Sequence, residues 1–420
     1  MKPSIALALA WVSVAAPAAA EIQVVAPEGK PDLEVRFSGY LQVDFVAYDE
    51  SSEDEVASSS GEPINEMRFL LRRARVRADF EHEYVGGSIE LDGNTVKGPV
   101  ARIIDAEAWA RWPSPDPDAP PYLLGSVGLM KIPFGREVPQ SERASLFLEK
   151  SAVSNALFPG NYDLGARIEG SYAFVRAVAA AMNGAPIGER QFPGEDPNKS
   201  RDVMGRVGID LEIVPGLSLA TGASALWGTG FSKGTPSTKD VLVWRDANEN
   251  GIVELTEIQV LAGKAATPSE GFERFAVGAD LELAVDVPVV GELALVGEIV
   301  RAQNLDRGDT PADPIATGRD LREWGGHLAV RQAITEYAEI GVRYDRYDPD
   351  ADATDQLPFE IVPGDRTVSA WSFAASGGYP PYGRLIAELD LRRNHDGRDE
   401  AGRPANRPDN RFTLRTEVGF

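Results

Sequence analysis

Met67 to Glu81 reads MRFLLRRARVRADFE. With a period of two, Arg73, Arg75, Arg77, Asp79 and Glu81 fall on one face, and Ala74, Val76, Ala78 and Phe80 on the other. A strand charged on one face and apolar on the other needs two different solvents. In a soluble sandwich the charged face meets bulk water. In an outer-membrane barrel it lines a wet lumen while the apolar face meets lipid. The stretch also admits a helix, because Met67, Leu71, Ala74 and Ala78 have helical spacing and Arg, Leu and Ala are good helix formers. The segments around it decide between the two.

The same alternation recurs along the chain. Ile104, Ala106, Ala108 and Ala110 oppose Asp105, Glu107 and Arg111; Ile340, Val342 and Tyr344 oppose Glu339, Arg343 and Asp345; Leu385, Ala387, Leu389 and Leu391 oppose Arg384, Glu388, Asp390 and Arg392. The pattern predicts about 16 strands, joined alternately by long polar loops and short turns. The run PSPDPDAPP (Pro113 to Pro121) is the longest of the expected short connections and suits neither strand nor helix. Aromatic residues gather near strand ends, as interfacial girdles require. Residues 35–420 are therefore expected to form a single all-β, transmembrane antiparallel β-barrel in lipid and lipopolysaccharide. Within the long connection Ile132 to Gly160, Ser141 to Leu157 reads as a short helix. The final strand ends on Phe420, similar to the signal by which barrel proteins reach the bacterial barrel-assembly machinery.

The N-terminus fits export. Lys2 supplies a positive end, Ile5 to Ala16 is nearly all apolar, and Ala18-Ala19-Ala20 after Pro17 fits a cleavage site before Glu21. Residues 1–20 are expected to be a signal peptide and 21–34 a periplasmic lead-in. The chain has no Cys, which excludes a disulfide scaffold and a lipid-modified cysteine anchor. No later apolar run is long enough for a helical span. The net charge of −23 argues against a nucleic-acid partner. That total hides a segregation: of 42 basic residues 33 are Arg, and many lie in strand-like segments, whereas the densest acidic clusters lie in loop-like ones.

Three motifs resemble the phosphate-selective porin O and P family. They are RFLLRRARV (Arg68 to Val76), the strand exit KIPFGRE (Lys131 to Glu137), and SLFLEKSAVSNALFPGNYDLGARIEG (Ser145 to Gly170). The resemblance implies a sixteen-stranded, homotrimeric porin of the Gram-negative outer membrane. It also implies that the connection at about 132–160 folds into the lumen and narrows the pore. Arg136, Glu137, Glu142, Arg143, Glu149 and Lys150 would then face Arg73, Arg75 and Arg77. A ladder of Arg attracts anions, and guanidinium binds phosphate well. The expected anion-selecting residues are Arg73, Arg75, Arg77, Lys131, Arg136 and Arg143, acting on small anionic solutes. In the competing reading these cations pair with carboxylates across the lumen and leave a weakly selective channel.

Asp246 to Glu257, DANENGIVELTE, matches the calcium-loop pattern D-x-[DN]-x-[DN]-G-x5-E. Asp246, Asn248, Asn250, Ile252 (through its carbonyl), Glu254 and Glu257 would ligate Ca²⁺. The loop lies in the longest connection, about 228–271, and its flanks look extended, so a structural role is expected. A secreted calcium-binding all-β adhesion protein is the alternative function. The three His (His82, His327, His395) show no metal-ligand spacing, and neither a nucleophile elbow nor a Gly-rich phosphate loop occurs, so no enzyme is expected.

Overall fold

The computed structural model describes residues 34–48, 67–96, 98–116, 119–191, 196–244, 252–357, 360–379, 382–395, 397–398 and 404–420. The expected signal peptide and most of the lead-in lie outside them. Sixteen antiparallel strands close into a barrel. In chain order they are β1 (Glu34–Tyr48), β2 (Met67–Glu81), β3 (Val85–Asn94), β4 (Val100–Trp112), β5 (Leu123–Lys131), β6 (Tyr162–Tyr172), β7 (Val175–Met182) and β8 (Asp202–Val214). The second half comprises β9 (Leu217–Ser232), β10 (Glu270–Val287), β11 (Gly291–Gln303), β12 (Arg322–Thr335), β13 (Ala338–Asp348), β14 (Val368–Tyr379), β15 (Gly383–Arg393) and β16 (Arg411–Gly419).

Six of the seven connections at the end holding both barrel termini have three residues or fewer; seven of the eight at the other end exceed fifteen. The exception at the short end is the proline-rich run. Short turns mark the periplasmic end of outer-membrane barrels. Three long connections carry small two-stranded ribbons, one of them pairing Val241–Trp244 with Ile258–Leu261. No helix among the described residues is long and apolar enough to cross a membrane.

The arginine stretch is a strand throughout its length. Its outer face exposes Phe69, Val76 and Phe80, and β3 continues that belt with Ile89 and Leu91. Trp112, Tyr122, Tyr172, Tyr337, Tyr379 and Tyr382 lie at the short-turn end. Tyr379 stacks on Tyr337 at 5.6 Å and on Tyr382 at 5.8 Å. An uninterrupted apolar outer belt with an aromatic rim belongs in lipid and leaves the soluble adhesion alternative without support. Closure joins β1 to β16, and the Phe420 backbone exchanges both hydrogen bonds with Gly39, at 3.0 and 3.1 Å. A Cβ at Gly39 would meet the Phe420 ring at 2.8 Å, so the missing side chain permits this approach.

Ladder pairing fixes which residues share the lumen: Gln42 opposes Arg73, Tyr40 opposes Arg75 and Ser38 opposes Arg77. Between Gln42 and Val43 the register slips, leaving Arg72 as an extra residue on β2. The bulge changes the phase of the strand. It brings Arg72 to the lumen beside Arg73, where simple alternation puts it in lipid.

The helix expected over Ser141 to Leu157 is much shorter. Only α1, Ala152–Leu157, is helical, and the preceding part of the connection consists of turns. The physical reason is where its backbone groups go. The N–H of Leu148 and the carbonyls of Arg143, Ser145, Leu148 and Glu149 bond to side chains of the barrel wall instead of to one another. Ser151 caps α1 by accepting from the Ser154 N–H at 3.3 Å.

Candidate functional site

The connection between β5 and β6 enters the lumen. Its base is closed by Lys131 opposite Tyr162 and by the Ile132 N–H donating to the Asn161 carbonyl at 3.0 Å. On one side it builds a dry core. Ile132, Phe134, Val138, Leu157 and Phe158 pack with inward-facing Met182, Met204, Leu226, Ala276 and Val300 of β7 to β11, all nearly inaccessible to water. Each of these side chains other than Ala276 contributes roughly 1.5–3 kcal/mol on burial. Phe134 and Phe158 meet with ring centroids 4.9 Å apart.

Polar wall groups then hold its main chain. The Glu298 carboxylate of β11 accepts from the N–H groups of Arg136 and Glu137 at 2.9 and 3.1 Å. Glu388 of β15 accepts from Leu148 N–H at 3.0 Å, and Asp345 of β13 from Ala152 N–H at 2.7 Å. In the opposite sense, Arg343 donates to the Glu149 carbonyl at 2.9 Å, Arg415 to that of Leu148 at 3.0 Å, and Arg384 to that of Arg143 at 2.5 Å. Arg307, from the connection after β11, donates to the Leu157 carbonyl at 3.0 and 3.1 Å.

Between the inserted segment and β1, β2 and β16 runs an ionic seam. Arg72 grips Glu149 with two bonds, at 2.7 and 2.6 Å. The same carboxylate lies 3.5 Å from Arg73 and 3.2 Å from Arg415. Arg415, only 1% exposed, also pairs bidentately with Asp44 at 2.7 and 2.8 Å. Arg73 donates to Gln42 at 3.0 Å, and Gln42 donates to Glu417 at 2.6 Å. Arg75 meets Glu142 at 2.9 Å and Asp92 at 3.1 Å. Arg77 meets Asp79, Glu90 and Asp105 between 2.8 and 3.4 Å.

The remaining expected residues are also in the lumen, each engaged differently. Lys131 donates to the Pro139 and Gln140 carbonyls at 3.2 and 3.0 Å. Arg136 pairs with Glu282, and Arg143 lies 3.8 Å from Glu417. Of the six charged residues expected opposite the arginine strand, therefore, only Glu142 and Glu149 reach it. Glu137 turns instead to Ser151, Ser154, Arg343 and Lys150, and Lys150 donates to the Glu137 and Gln140 carbonyls. The reason is a change of direction at Gly135, where φ of +65° sends the chain along the wall beside Glu298.

Burial alone would raise the Glu149 and Glu142 carboxyls. The arginines outweigh it: Arg72 and Arg73 hold Glu149 well below the usual carboxylate range, and Arg75, with Lys131, does so for Glu142. Both are charged wherever the barrel is folded at ordinary pH.

Two cavities flank the seam. The outer one, about 850 Å³, is lined by eight basic and five acidic side chains, with Arg72, Arg343, Arg411 and Arg415 among the basic ones. The inner one, about 290 Å³, is lined by Arg75, Arg77, Lys131 and Arg143 against Glu90 alone, together with Tyr40 and Tyr162. Arg72, Arg343, Arg384 and Arg415 escape simple sequence reasoning. Their charged-face phase is visible for the last three, whereas Arg72 needs the bulge.

Of the calcium-loop residues, Asp246, Asn248 and Asn250 lie outside the described residues. Ile252 and Glu254 are exposed, and Glu257 ends a 3₁₀ turn that begins at Leu255. Trp244 pairs with Ile258, so the stretch is bounded by a β-ribbon and not by helices. Among the described residues no group of three or more His, Cys, Asp or Glu could hold a metal ion.

No family model matches the chain, and no curated protein matches it by sequence. The resemblance to the O and P porins therefore rests on its three motifs. Among solved structures the barrel is similar to the outer membrane channel DcaP of Acinetobacter baumannii. The TM-score is 0.60 at 12% identity, over 94% of this chain and 100% of that one. It is also similar to OmpT, an outer membrane protein of Vibrio cholerae, in its trimer form, with a TM-score of 0.51 at 10% identity over 92% and 99% of the two chains. At such identities the likeness is one of fold, a sixteen-stranded outer-membrane barrel.

Proposed function

We propose that this chain is a porin of a Gram-negative outer membrane. It forms a water-filled channel for passive diffusion of small hydrophilic solutes, with a preference for anions. One observation carries the preference: in a chain of net charge −23, the linings of the two cavities that flank the arginine seam hold more basic than acidic side chains. Solutes in a narrow, low-dielectric passage respond to that local excess rather than to the total charge. The segment at 132–160 is the constriction, and the pairing of its carboxylates with the arginine strand makes the preference moderate. The O and P resemblance makes inorganic phosphate the first solute to test. The trimer named for the Vibrio barrel supports a homotrimer here, which crosslinking in detergent checks.

Planar-bilayer reversal potentials in a KCl gradient test the selectivity. An anion-favouring potential that falls when Arg75 and Arg77 are replaced supports the reading; a cation-favouring potential rejects it. The barrel should also sediment with membranes and migrate differently on SDS gels before and after boiling.

The motif at 246–257 supports a structural Ca²⁺ in the outer loop, with the flanking residues Trp244 and Ile258 paired in a β-ribbon. A calcium-dependent thermal shift that disappears in Asp246→Ala supports this, and indifference of both proteins to chelator rejects it.

A further inference from the structure

We propose that Glu149 is a tethered counter-anion seated in an oxyanion site of the barrel wall, and that a small free oxyanion takes that site when the tether's charge is removed. The proposal rests on the channel reading and deepens it by naming where an anion pauses. Three arginines converge on this one carboxylate: Arg72 with the fork-to-fork geometry that guanidinium offers to carboxylate and phosphate, Arg73 and Arg415 from the flanks. The site belongs to the wall. Arg72 and Arg73 are held by the β2 bulge, Arg73 further by Gln42, and Arg415 by Asp44. Glu149 arrives from a loop whose main chain is anchored by bonds that do not involve its carboxylate, from the Leu148 N–H to Glu388, from Arg343 to the Glu149 carbonyl and from Arg415 to the Leu148 carbonyl. Its carboxylate is therefore not needed to keep the loop in place.

The charge balance points the same way. Asp44 is committed to Arg415 by two bonds, so without Glu149 the other two guanidiniums have no carboxylate within 4 Å among the described residues. The Glu149 side chain is 23% exposed and lines the outer cavity of about 850 Å³ together with Arg72 and Arg415, so a solute anion entering from outside reaches those two guanidiniums. Neighbouring Glu142, by contrast, is bound deep beside Arg75 with its side chain 6% exposed.

The test compares wild type, Glu149→Gln, Glu149→Asp and Glu149→Gln/Arg72→Gln in planar bilayers, with inorganic phosphate added on the outer side against constant chloride. Glu149→Gln should shift the reversal potential toward anions. It should also show phosphate block of the chloride current at concentrations at least tenfold below those needed for wild type. Glu149→Asp should behave as wild type, and the double variant should lose the block. An unchanged potential with no phosphate sensitivity in Glu149→Gln overturns the proposal. So does a barrel that assembles only with Glu149 intact, even when refolded in phosphate, since that marks a structural clamp. The wild-type reversal potential judges the channel reading separately: a wild type that is not anion-selective can still show the difference between these variants.

Discussion

The inserted segment meets two unlike walls. Against β7 to β11 it buries Phe134, Leu157 and Phe158 among Met182, Met204, Leu226 and Val300, a contact with the chemistry of a soluble protein's core. Against β1, β2 and β16 it presents Glu142 and Glu149 to four arginines. The difference separates holding from selecting. Apolar burial is non-directional and has no competitor in water, so it fixes the segment in place. Ion pairs exchange partners with solute ions, and their desolvation costs offset much of their attraction. On the proposed channel reading, a diffusing solute finds its route along the charged wall.

The contrast can be broken most severely from the apolar side. Phe134→Ala should cost about 3–5 kcal/mol. It should also raise single-channel conductance as the segment loosens, read by denaturant unfolding and by bilayer recording on the same preparation. Gly135→Ala comes next, at about 1–3 kcal/mol, because φ is +65° there and a Cβ would land on the Glu298 carboxylate. Its signature is a loosened segment with the arginine seam intact, so conductance rises while ion preference holds.

Acid sharpens the comparison with a smaller effect at working pH. Burial would raise Glu137, but His327, Arg343 and Lys150, with a Ser151 hydrogen bond, hold it down at about 2, against 4.5 for the free side chain. A carboxyl lowered by folding stabilises fully above its unfolded value, and that contribution is lost as pH falls toward the folded one. Cleavage between residues 132 and 160 by pepsin should therefore stay low near pH 4.5 and rise toward pH 2. Glu137→Gln should weaken that dependence, with Glu142 and Glu149 keeping their share of it. The least effect is expected from Arg319→Ala, which breaks an exposed pair with Asp350 at the outer mouth: about 0.5 kcal/mol or less in stability, with unchanged ion preference.

Much of the barrel is legible in the chain because its cause is local. Alternation reports the two solvents on a strand's faces, residue by residue, and it is plain in β2, β4, β13 and β15. The site is legible only as a face. Arg73, Arg75 and Arg77 read as lumen residues and are. Arg72 does not, since one bulge reverses the phase and no local signal marks it. The helix expected over Ser141 to Leu157 is confined to Ala152–Leu157 for a related reason. Propensity counts hydrogen bonds within the segment, while Glu388, Arg343, Arg384 and Arg415, contributed by strands about 190 to 270 residues away in the chain, offer its backbone better partners.

What the sequence by itself determined is therefore the barrel: its strand number, its charged and apolar faces, and the long connection at 132–160 that carries both apolar and charged residues. Which carboxylate neutralises which arginine was decided only in three dimensions. Ring closure and strand register bring β2, β16 and the inserted segment together, and electrostatic pairing depends on distances of a few ångströms between groups whose order along the chain does not encode them. The arginine strand supplies a positive wall in either case. Whether that wall filters anions or is muted depends on Glu149 and Glu142, which the fold carries to it.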